Sequence, residues 1–364
     1  MKQGIRVLLV SDFHVNVYCW RKEIIDAICD AGGKVALAVP YGEKLEYFRE
    51  RGCTLFDVIM DRHSLRLSGN IKLLARYKEI IIQFKPDVVL LYGSKGMLYA
   101  GFLCRLMRIK YFPNINGLGT IETMPFLLKK FMFFLYKIVV PHATTVFFQN
   151  EYNMKKLVAM KIAGKNNRLI PGSGVNVDVF KLAPFLEETT VRFLFCARLT
   201  REKGLYEFLE AAKEVKNSGI NAEFDIVGMG EDSVIDDIRQ YKDYVTYHGF
   251  QLDVLHFLER AQCVVLPSFY GEGISNSLLE SASSGRLIIT TDMPGCRETV
   301  EDGITGYIIK PKDSHMLAKA MMKVCAMDWE ERKQMGLKGR HFVELKFNRQ
   351  SVVQAYMEEL NSIF

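Results

Sequence analysis

The chain lacks most of the short patterns that mark common enzyme chemistries. Its eight cysteines, at 19, 29, 53, 104, 196, 263, 296 and 325, are scattered, with no C-x-x-C pair and no metal-ligand spacing. Several, Cys196 and Cys263 among them, fall inside apolar runs where a reduced cysteine is a small core residue, which points to a reducing cytoplasm. The seven histidines, at 14, 63, 142, 248, 256, 315 and 341, form no H-x-x-x-H pair, and no D-x-D follows a strand-like run. Metal-independent chemistry is therefore expected, with no metal site and no cofactor. A G-x-S-x-G nucleophile elbow and a G-x-x-x-x-G-K-[ST] phosphate loop are both missing, which excludes the chemistries built on them. Charge of one sign is scarce too. A formal net charge of +6 suits anionic small molecules or an anionic membrane surface and is too weak to argue for nucleic acid. The longest apolar tract, Pro125–Pro141, is broken by three lysines. It falls short of the ~20 apolar residues a spanning helix needs, so no membrane crossing is expected. Nor is a secretory leader expected, because Met1-Lys-Gln-Gly runs straight into Ile5-Arg-Val-Leu-Leu-Val10.

What is present is regular alternation. At 364 residues the chain exceeds the ~250–300 at which a single core stops growing, so two domains are expected, and 49% hydrophobic residues can fill both cores. Strand-like runs at 5–10, 35–39, 55–59, 88–91, 111–115 and 145–148 alternate with helix-like runs, among them 21–31, 71–84, 97–107 and 126–138. A second series has strands at 192–196, 223–227, 245–247, 263–266, 287–290 and 306–309, with helical runs between them. This is α/β architecture, two doubly wound Rossmann-like parallel sheets with helices on both faces. The polar, proline-bearing stretch 181–190 marks the boundary. The expected division is 1–185, 186–345 and a tail 346–364 that packs back on the first domain. Ligands of such sheets bind outside the carboxyl ends of the strands, which puts the expected substrate cleft between two facing sheets.

The most informative stretch is Tyr270-Gly-Glu-Gly-Ile-Ser-Asn-Ser-Leu-Leu-Glu280, between the apolar run Cys263–Pro267 and Ser281–Gly285. A buried strand delivers the chain through Gly271 and Gly273 to a helix N-terminus, where free N–H groups and the helix dipole favour a phosphate. Glu272 and Glu280 flank that place, about two turns apart by the ~3.6-residue period. By itself the stretch is equally an ordinary βα turn with surface glutamates. A second cluster shifts the balance. In Phe195-Cys-Ala-Arg198-Leu-Thr-Arg-Glu-Lys203-Gly204, Arg198 lies past a strand end and Lys203 before a helix, so both cations share a sheet edge with the two glutamates. Fixed cations there neutralise a diphosphate as its bond to a sugar breaks. Val227-Gly228-Met-Gly-Glu231 carries two glycines of a dinucleotide motif but Ser233 in place of the third, so a simple turn and a nucleotide contact at Gly228 stay open.

Acceptor-side candidates are less explicit. Ser11-Asp-Phe-His14, Tyr92-Gly-Ser-Lys95-Gly96 and Asn114-Ile-Asn116-Gly-Leu-Gly119 each follow a strand-like run, offering His14, Lys95 and Asn116. In the tract 125–141, Lys130 and Lys137 are seven apart and share a helix face, with Phe131, Phe133 and Phe134 around them. A segment lying in a membrane interface, lysines at the headgroups and aromatics in the acyl region, and a buried helix with snorkelling lysines both fit this pattern.

Together these residues resemble a family. Glu272 and Glu280 form an E-x7-E motif, and with Ala197-Arg198-Leu to Lys203-Gly204 they look like the donor site of retaining family-4 glycosyltransferases of the GT-B fold. Arg21-Lys22, Tyr92–Lys95, Asn116-Gly-Leu-Gly119, Val146–Asn150, Pro171–Val175 and Asp292–Thr299 extend the similarity across nearly the whole chain, to a bacterial subgroup that builds capsular, exopolysaccharide or protein-linked glycans on polyprenyl diphosphate. The resemblance implies that Arg198 and Lys203 hold the donor diphosphate, helped by Gly273, Ile274, Ser275 and Asn276. It implies that Glu280 binds the ribose, that Glu272 contacts the transferred sugar, and that Gly228 lines the donor site. The chain departs from the family at Ser275, where many members have proline, at Tyr92-Gly-Ser-Lys95, and at Asn114–Gly117, where many have a histidine.

The expected activity is a retaining, metal-independent transfer of a hexose or N-acetylhexosamine from a nucleotide diphosphate, with uridine favoured by the subgroup, to a polyprenyl-diphosphate-linked saccharide. The expected place is the cytoplasmic face of the bacterial plasma membrane, peripherally bound. A nucleotide-sugar epimerase or phosphorylase of the same architecture, and a non-catalytic glycan-binding subunit, are the competing readings.

Overall fold

Runs of Val, Leu and Ile that are buried on both faces favour parallel strands, and the computed structural model, which describes residues 3–59 and 67–363, contains two sheets made of them. His63 and Phe364 lie outside the described residues. The first sheet holds β1 (Arg6–Val10), β2 (Lys34–Val39), β3 (Thr54–Asp57), β4 (Val88–Leu91), β5 (Lys110–Ile115), β6 (Val146–Phe148) and β7 (Asn167–Leu169). The second holds β8 (Val191–Cys196), β9 (Ala222–Val227), β10 (Thr246–Tyr247), β11 (Cys263–Leu266), β12 (Leu287–Thr291) and β13 (Gly306–Ile309). Their orders are β3-β2-β1-β4-β5-β6-β7 and β10-β9-β8-β11-β12-β13, and the paired strands run parallel.

Each sheet reverses its direction of winding beside its first strand, between β1 and β4 and between β8 and β11. Such a switch point opens a crevice at the carboxyl ends of the strands. The side chains of β1 show how both faces are filled: Leu8 and Val10 join one apolar core, Val7 and Leu9 the other. Most expected strands are present within a residue or two. The three-residue edge strand β7 went unread because its Asn167 and Arg168 carry no apolar pattern.

The chain divides into two compact units, 1–173 with 349–364, and 174–348. The expected boundary at 185 is therefore displaced to 173. The polar run looked like a linker, but guanidinium groups of the second unit bind its carbonyls. Buried Arg286 donates to the carbonyls of Ala183 at 2.7 Å and Pro184 at 2.9 Å and lies 5.0 Å over the Phe185 ring. Arg340 donates to those of Phe180 at 2.6 Å and Val177 at 3.2 Å.

At the other end, helix Trp329–Lys346 belongs to the second unit, and the chain enters the first at Arg349 rather than 346. Helix Arg349–Ser362 packs in the core of the first unit, where Tyr356 is fully buried and stacks on Phe147 at 4.1 Å. Arg349 fixes its start by donating to the Cys19 carbonyl at 2.6 Å and to Glu23 at 3.0 Å.

Helix Phe126–Val139 sorts its aromatics by spacing. Phe133, Tyr136 and Val139 are buried at three-residue intervals. Phe126, Leu127, Phe131 and Phe134 are exposed, as are Lys130 and Lys137. Phe133 is thus a core residue, not part of an outward aromatic set, because the helical period turns it to the opposite face.

Candidate active site

The site in the second unit is built where β8 and β11 end, side by side at the switch point. Backbone pairing between β8 and β9 continues past the strands, through Ala197 N–H to the Val227 carbonyl at 3.2 Å and Leu199 N–H to the Met229 carbonyl at 2.8 Å. Arg198 sits between these bonds, its carbonyl accepting from Thr200 N–H at 2.9 Å and its exposed guanidinium without a hydrogen-bond or ion-pair partner among the described residues. The chain then makes a 3-10 turn, Arg201–Lys203, and Gly204 turns it into helix Leu205–Asn217.

Only glycine fits at 204. Its φ is +79°, and a Cβ there would lie 2.1 Å from the Pro267 carbonyl oxygen. That close approach brings the β8 exit onto the β11 exit. Phe269 N–H and Ser268 Oγ both donate to the Glu202 carbonyl, at 2.9 and 3.2 Å. The consequence is a direct ion pair: Lys203 Nζ donates to Glu272 Oε1 at 2.6 Å, with side chains only 11% and 14% exposed.

A third loop, following β12, closes over this pair. Glu272 N–H donates to the Pro294 carbonyl at 3.1 Å and Ser275 N–H to the Gly295 carbonyl at 2.8 Å. Gly295 has φ +88°, and a Cβ there would lie 2.7 Å from the Gly273 carbonyl oxygen. The buried Cys296 thiol is pushed well up by burial, next by the Glu272 charge, with Lys203 opposing. Glu298 accepts from Gly295 N–H at 2.7 Å, and burial raises its carboxyl above the usual range. The run Asp292–Thr299 belongs to the family resemblance, but its part in shaping the turn was not legible, because three backbone contacts carry it.

Ser275 caps helix Asn276–Ser283. The anion cradle expected from the sequence has fewer free donors than the turn alone suggests, since Ser275 is buried and its amide is already taken. Asn276 presents a buried Oδ1 with no hydrogen bond among the described residues, an acceptor at the first helical position. Ile274 is 6% exposed and packs in the core. Glu280 is half-buried on the same helix. The Cys196 thiol at the end of β8 is pushed up to about 12 by burial and then by the Glu280 charge. Gly228 has both backbone groups engaged, its N–H with the Gly249 carbonyl at 3.0 Å and its carbonyl with Tyr247 Oη at 3.1 Å. A Cβ at 228 would lie 1.9 Å from the Ala197 carbonyl oxygen, so this glycine seats β9 against the Arg198 loop.

The first unit gathers polar groups at the corresponding edge of its sheet. His14 opens helix His14–Asp30, its ring pressed against Gly42, where a Cβ would lie 2.3 Å away. Lys95 is the second residue of helix Ser94–Leu106. The N-terminus of that helix already holds an anion: Gly96 N–H donates to Asp12 Oδ1 at 3.3 Å, and a Cβ on Gly93 would lie 2.0 Å from Asp12 Oδ2. Asn116 is exposed and its Oδ1 accepts from Gln149 Nε2 at 3.1 Å. The same Gln149 nitrogen donates to Asn114 Oδ1 at 3.2 Å, and Asn114 Nδ2 donates to Tyr356 Oη at 2.6 Å. Asp12 and Gln149 are the residues that sequence reasoning missed. Both lie in motifs already noted, but their partners are distant in the chain.

Comparison with known proteins gives the arrangement a family. Residues 6–150 match the family described as "Glycosyl transferase 4-like" and residues 190–327 match "Glycosyl transferases group 1". The N,N'-diacetylbacillosaminyl-diphospho-undecaprenol alpha-1,3-N-acetylgalactosaminyltransferase of Campylobacter jejuni is 24% identical over 97% of this chain and 98% of its own length. The capsular polysaccharide biosynthesis glycosyltransferase CapM of Staphylococcus aureus is 25% identical over 84% of each. Among solved structures, Anabaena Alr3699/HepE in complex with UDP and glucose superposes with a TM-score of 0.81 at 14% identity, covering 99% of this chain and 100% of the other. With one glycosyltransferase family matched in each unit and the fold of GT-B enzymes throughout, the chain belongs to the family-4, group 1 glycosyltransferases.

Proposed function

We propose that this glycosyltransferase moves a sugar from a uridine diphosphate donor to a polyprenyl-diphosphate-linked saccharide, with retention of anomeric configuration and without a metal ion, in the assembly of a bacterial surface glycan. The observation that carries the reading is the Lys203–Glu272 pair with Arg198 exposed beside it, at the switch point of the second sheet. Leaving-group departure puts negative charge on the β-phosphate. Two preplaced cations stabilise that charge without reorganising, which is the largest single source of rate in such sites. Glu272, held by Lys203, orients hydroxyls of the transferred sugar. Glu280 takes the ribose hydroxyls, and Asn276 Oδ1 supplies a further acceptor. With the diphosphate leaving and the acceptor hydroxyl arriving on the same face, configuration is kept and no protein nucleophile is needed.

The name of the Campylobacter relative, which places its acceptor sugar on diphospho-undecaprenol, and the UDP and glucose held by the Anabaena structure support the substrate class. On the acceptor side, His14, Lys95 and Asn116, with Asp12 and Gln149 behind them, line the edge of the first sheet where a sugar hydroxyl is to be held. No helix among the described residues is long and apolar enough to cross a membrane. The exposed Phe126, Leu127, Phe131 and Phe134 with Lys130 and Lys137 suit peripheral binding to the anionic inner face of the plasma membrane.

The test is calorimetry against a panel of nucleotide sugars, then turnover with a polyprenyl diphosphate sugar in the presence of a chelator, with the product anomer read by NMR. Expected are binding of one UDP-sugar, chelator-resistant turnover and a retained anomer. An inverted anomer, abolition by chelator, or an epimerised free nucleotide sugar would overturn the corresponding part.

A further inference from the structure

Two of the cysteines are brought into contact by the fold of the first unit. Cys29 lies in the last turn of helix His14–Asp30, and Cys53 follows Gly52, whose φ is +81°, and leads into β3. Their sulfurs are 3.8 Å apart, across 24 residues of chain. Cys53 is 6% exposed, whereas Cys29 is half-buried and open to a reagent. The backbone on either side is clamped. Arg51 donates to Asp26 at 3.2 Å and Asp30 at 2.5 Å, Tyr47 Oη reaches Asp26 at 2.9 Å, Lys22 joins at 2.9 Å, and Cys53 N–H donates to the Phe48 carbonyl at 2.9 Å.

We propose that Cys29 and Cys53 form an oxidisable dithiol that closes to a disulfide between the end of this helix and the start of β3, with a low-molecular-weight disulfide such as glutathione disulfide as oxidant. Nothing in the glycosyl-transfer chemistry uses either thiol. Closing the pair takes the sulfurs from contact to a bond of about 2.05 Å, within reach of side-chain rotation and a small shift.

The two thiols are unequally exposed, Cys29 more than Cys53, which sets the order of events. The hydrogen bond between the two sulfurs holds the Cys29 thiol below its usual range, with burial opposing and Arg51 assisting. The same hydrogen bond and burial push Cys53 far up. Cys29 thiolate attacks one sulfur of the oxidant, giving a Cys29 mixed disulfide and expelling one glutathione thiolate. Cys53 then attacks Cys29 sulfur and expels the second thiolate, which takes up the Cys53 proton. Two thiols lose two electrons and two protons, and one glutathione disulfide becomes two glutathione molecules.

The experiment equilibrates the full chain over a series of reduced to oxidised glutathione ratios, quenches by alkylation in denaturant, where every free thiol is reachable, and maps peptides without reduction. The expected product is a peptide pair linked through Cys29 and Cys53, with a loss of two hydrogen atoms and a fall of two from the eight alkylatable thiols of the chain. Dithiothreitol reverses it, and the oxidised chain melts on the order of 5 °C higher, because a closed loop restricts the unfolded state. Cys29→Ser, at the more exposed position, removes both the linked peptide and the shift in Tm. Since Cys53→Ser alters a buried site, the alkylation pattern of the unmodified chain is the primary readout. Oxidised chain in which both thiols alkylate freely, carries only glutathione on Cys29, or links only through exposed Cys19 overturns the proposal.

Discussion

Lys203 Nζ and Glu272 Oε1 meet at 2.6 Å although 69 residues separate them. They meet because β8 and β11 are neighbours at the switch point and because Gly204 lets the two exit loops touch. The pair is thus a product of strand order.

Lys203→Ala and Glu272→Ala each lower kcat by roughly 10²–10³, the loss of about 2.7–4 kcal/mol of transition-state stabilisation typical of such contacts. The double variant loses little more than either single one, because the residues act as a pair. Initial rates with a saturating donor check this. Full activity in either single variant rejects the site assignment.

Gly204→Ala forces a Cβ to within 2.1 Å of the Pro267 carbonyl oxygen at a φ of +79°. The expected cost is roughly 3 kcal/mol, at the top of the range for overpacking, because the clash is with backbone and a side chain cannot yield. Urea denaturation measures it, and an unchanged midpoint contradicts the close approach.

Glu298 gives a pH signature. Burial raises its folded pKa above the unfolded value, so the native state holds the proton more tightly. Between those two values stability falls as pH rises. Glu298→Gln keeps an acceptor for Gly295 N–H and removes the buried charge, with the Asp292–Arg297 pair at 2.6 Å left intact. The variant matches the parent in Tm below the unfolded pKa of about 4.5 and exceeds it at neutral pH. Melting curves from pH 4 to 8 decide; a difference that shrinks as pH rises gives the wrong sign.

Tyr356 ties the returning helix into the first unit through a fully buried ring and a 2.6 Å bond from Asn114. Tyr356→Ala is expected to cost about 3–5 kcal/mol as a large core truncation. Tyr356→Phe costs about 1–3 kcal/mol, since the buried Asn114 amide loses its acceptor. Equal losses in the two variants would show that the hydroxyl, not the packing, dominates.

The proposed membrane binding through helix Phe126–Val139 rests on exposed apolar side chains and two outward lysines. Lys130→Glu with Lys137→Glu reverses charge on that face, and the double variant loses flotation with anionic liposomes at least tenfold. Each lysine near an anionic surface contributes about 1 kcal/mol. Unchanged partitioning ends this part of the reading.

Legibility in the sequence followed the range of the interaction. Strands such as Val88–Leu91 and Cys263–Leu266 were readable because burial on both faces leaves an unbroken apolar run. Edge strand β7, with Asn167 and Arg168, left no such trace. The linker-like polarity of 181–190 misplaced the boundary, since Arg286 and Arg340, which bind the preceding carbonyls, lie about a hundred residues or more further on. Asp12 was within a noted motif, but its anchoring by Gly96 depends on β1 and β4 lying side by side.

By itself the sequence determined two series of alternating strands and helices, and the presence of cations and carboxylates just past strand ends, because both follow from local periodicity and residue chemistry. Only the tertiary structure decided that Lys203 rather than Arg198 pairs with Glu272, that the Ser275 amide is taken by Gly295, and that Phe133 faces inward. Each of those outcomes depends on which distant backbone lies alongside. In a parallel sheet that is fixed by strand order and close glycine contacts, not by neighbours in the chain.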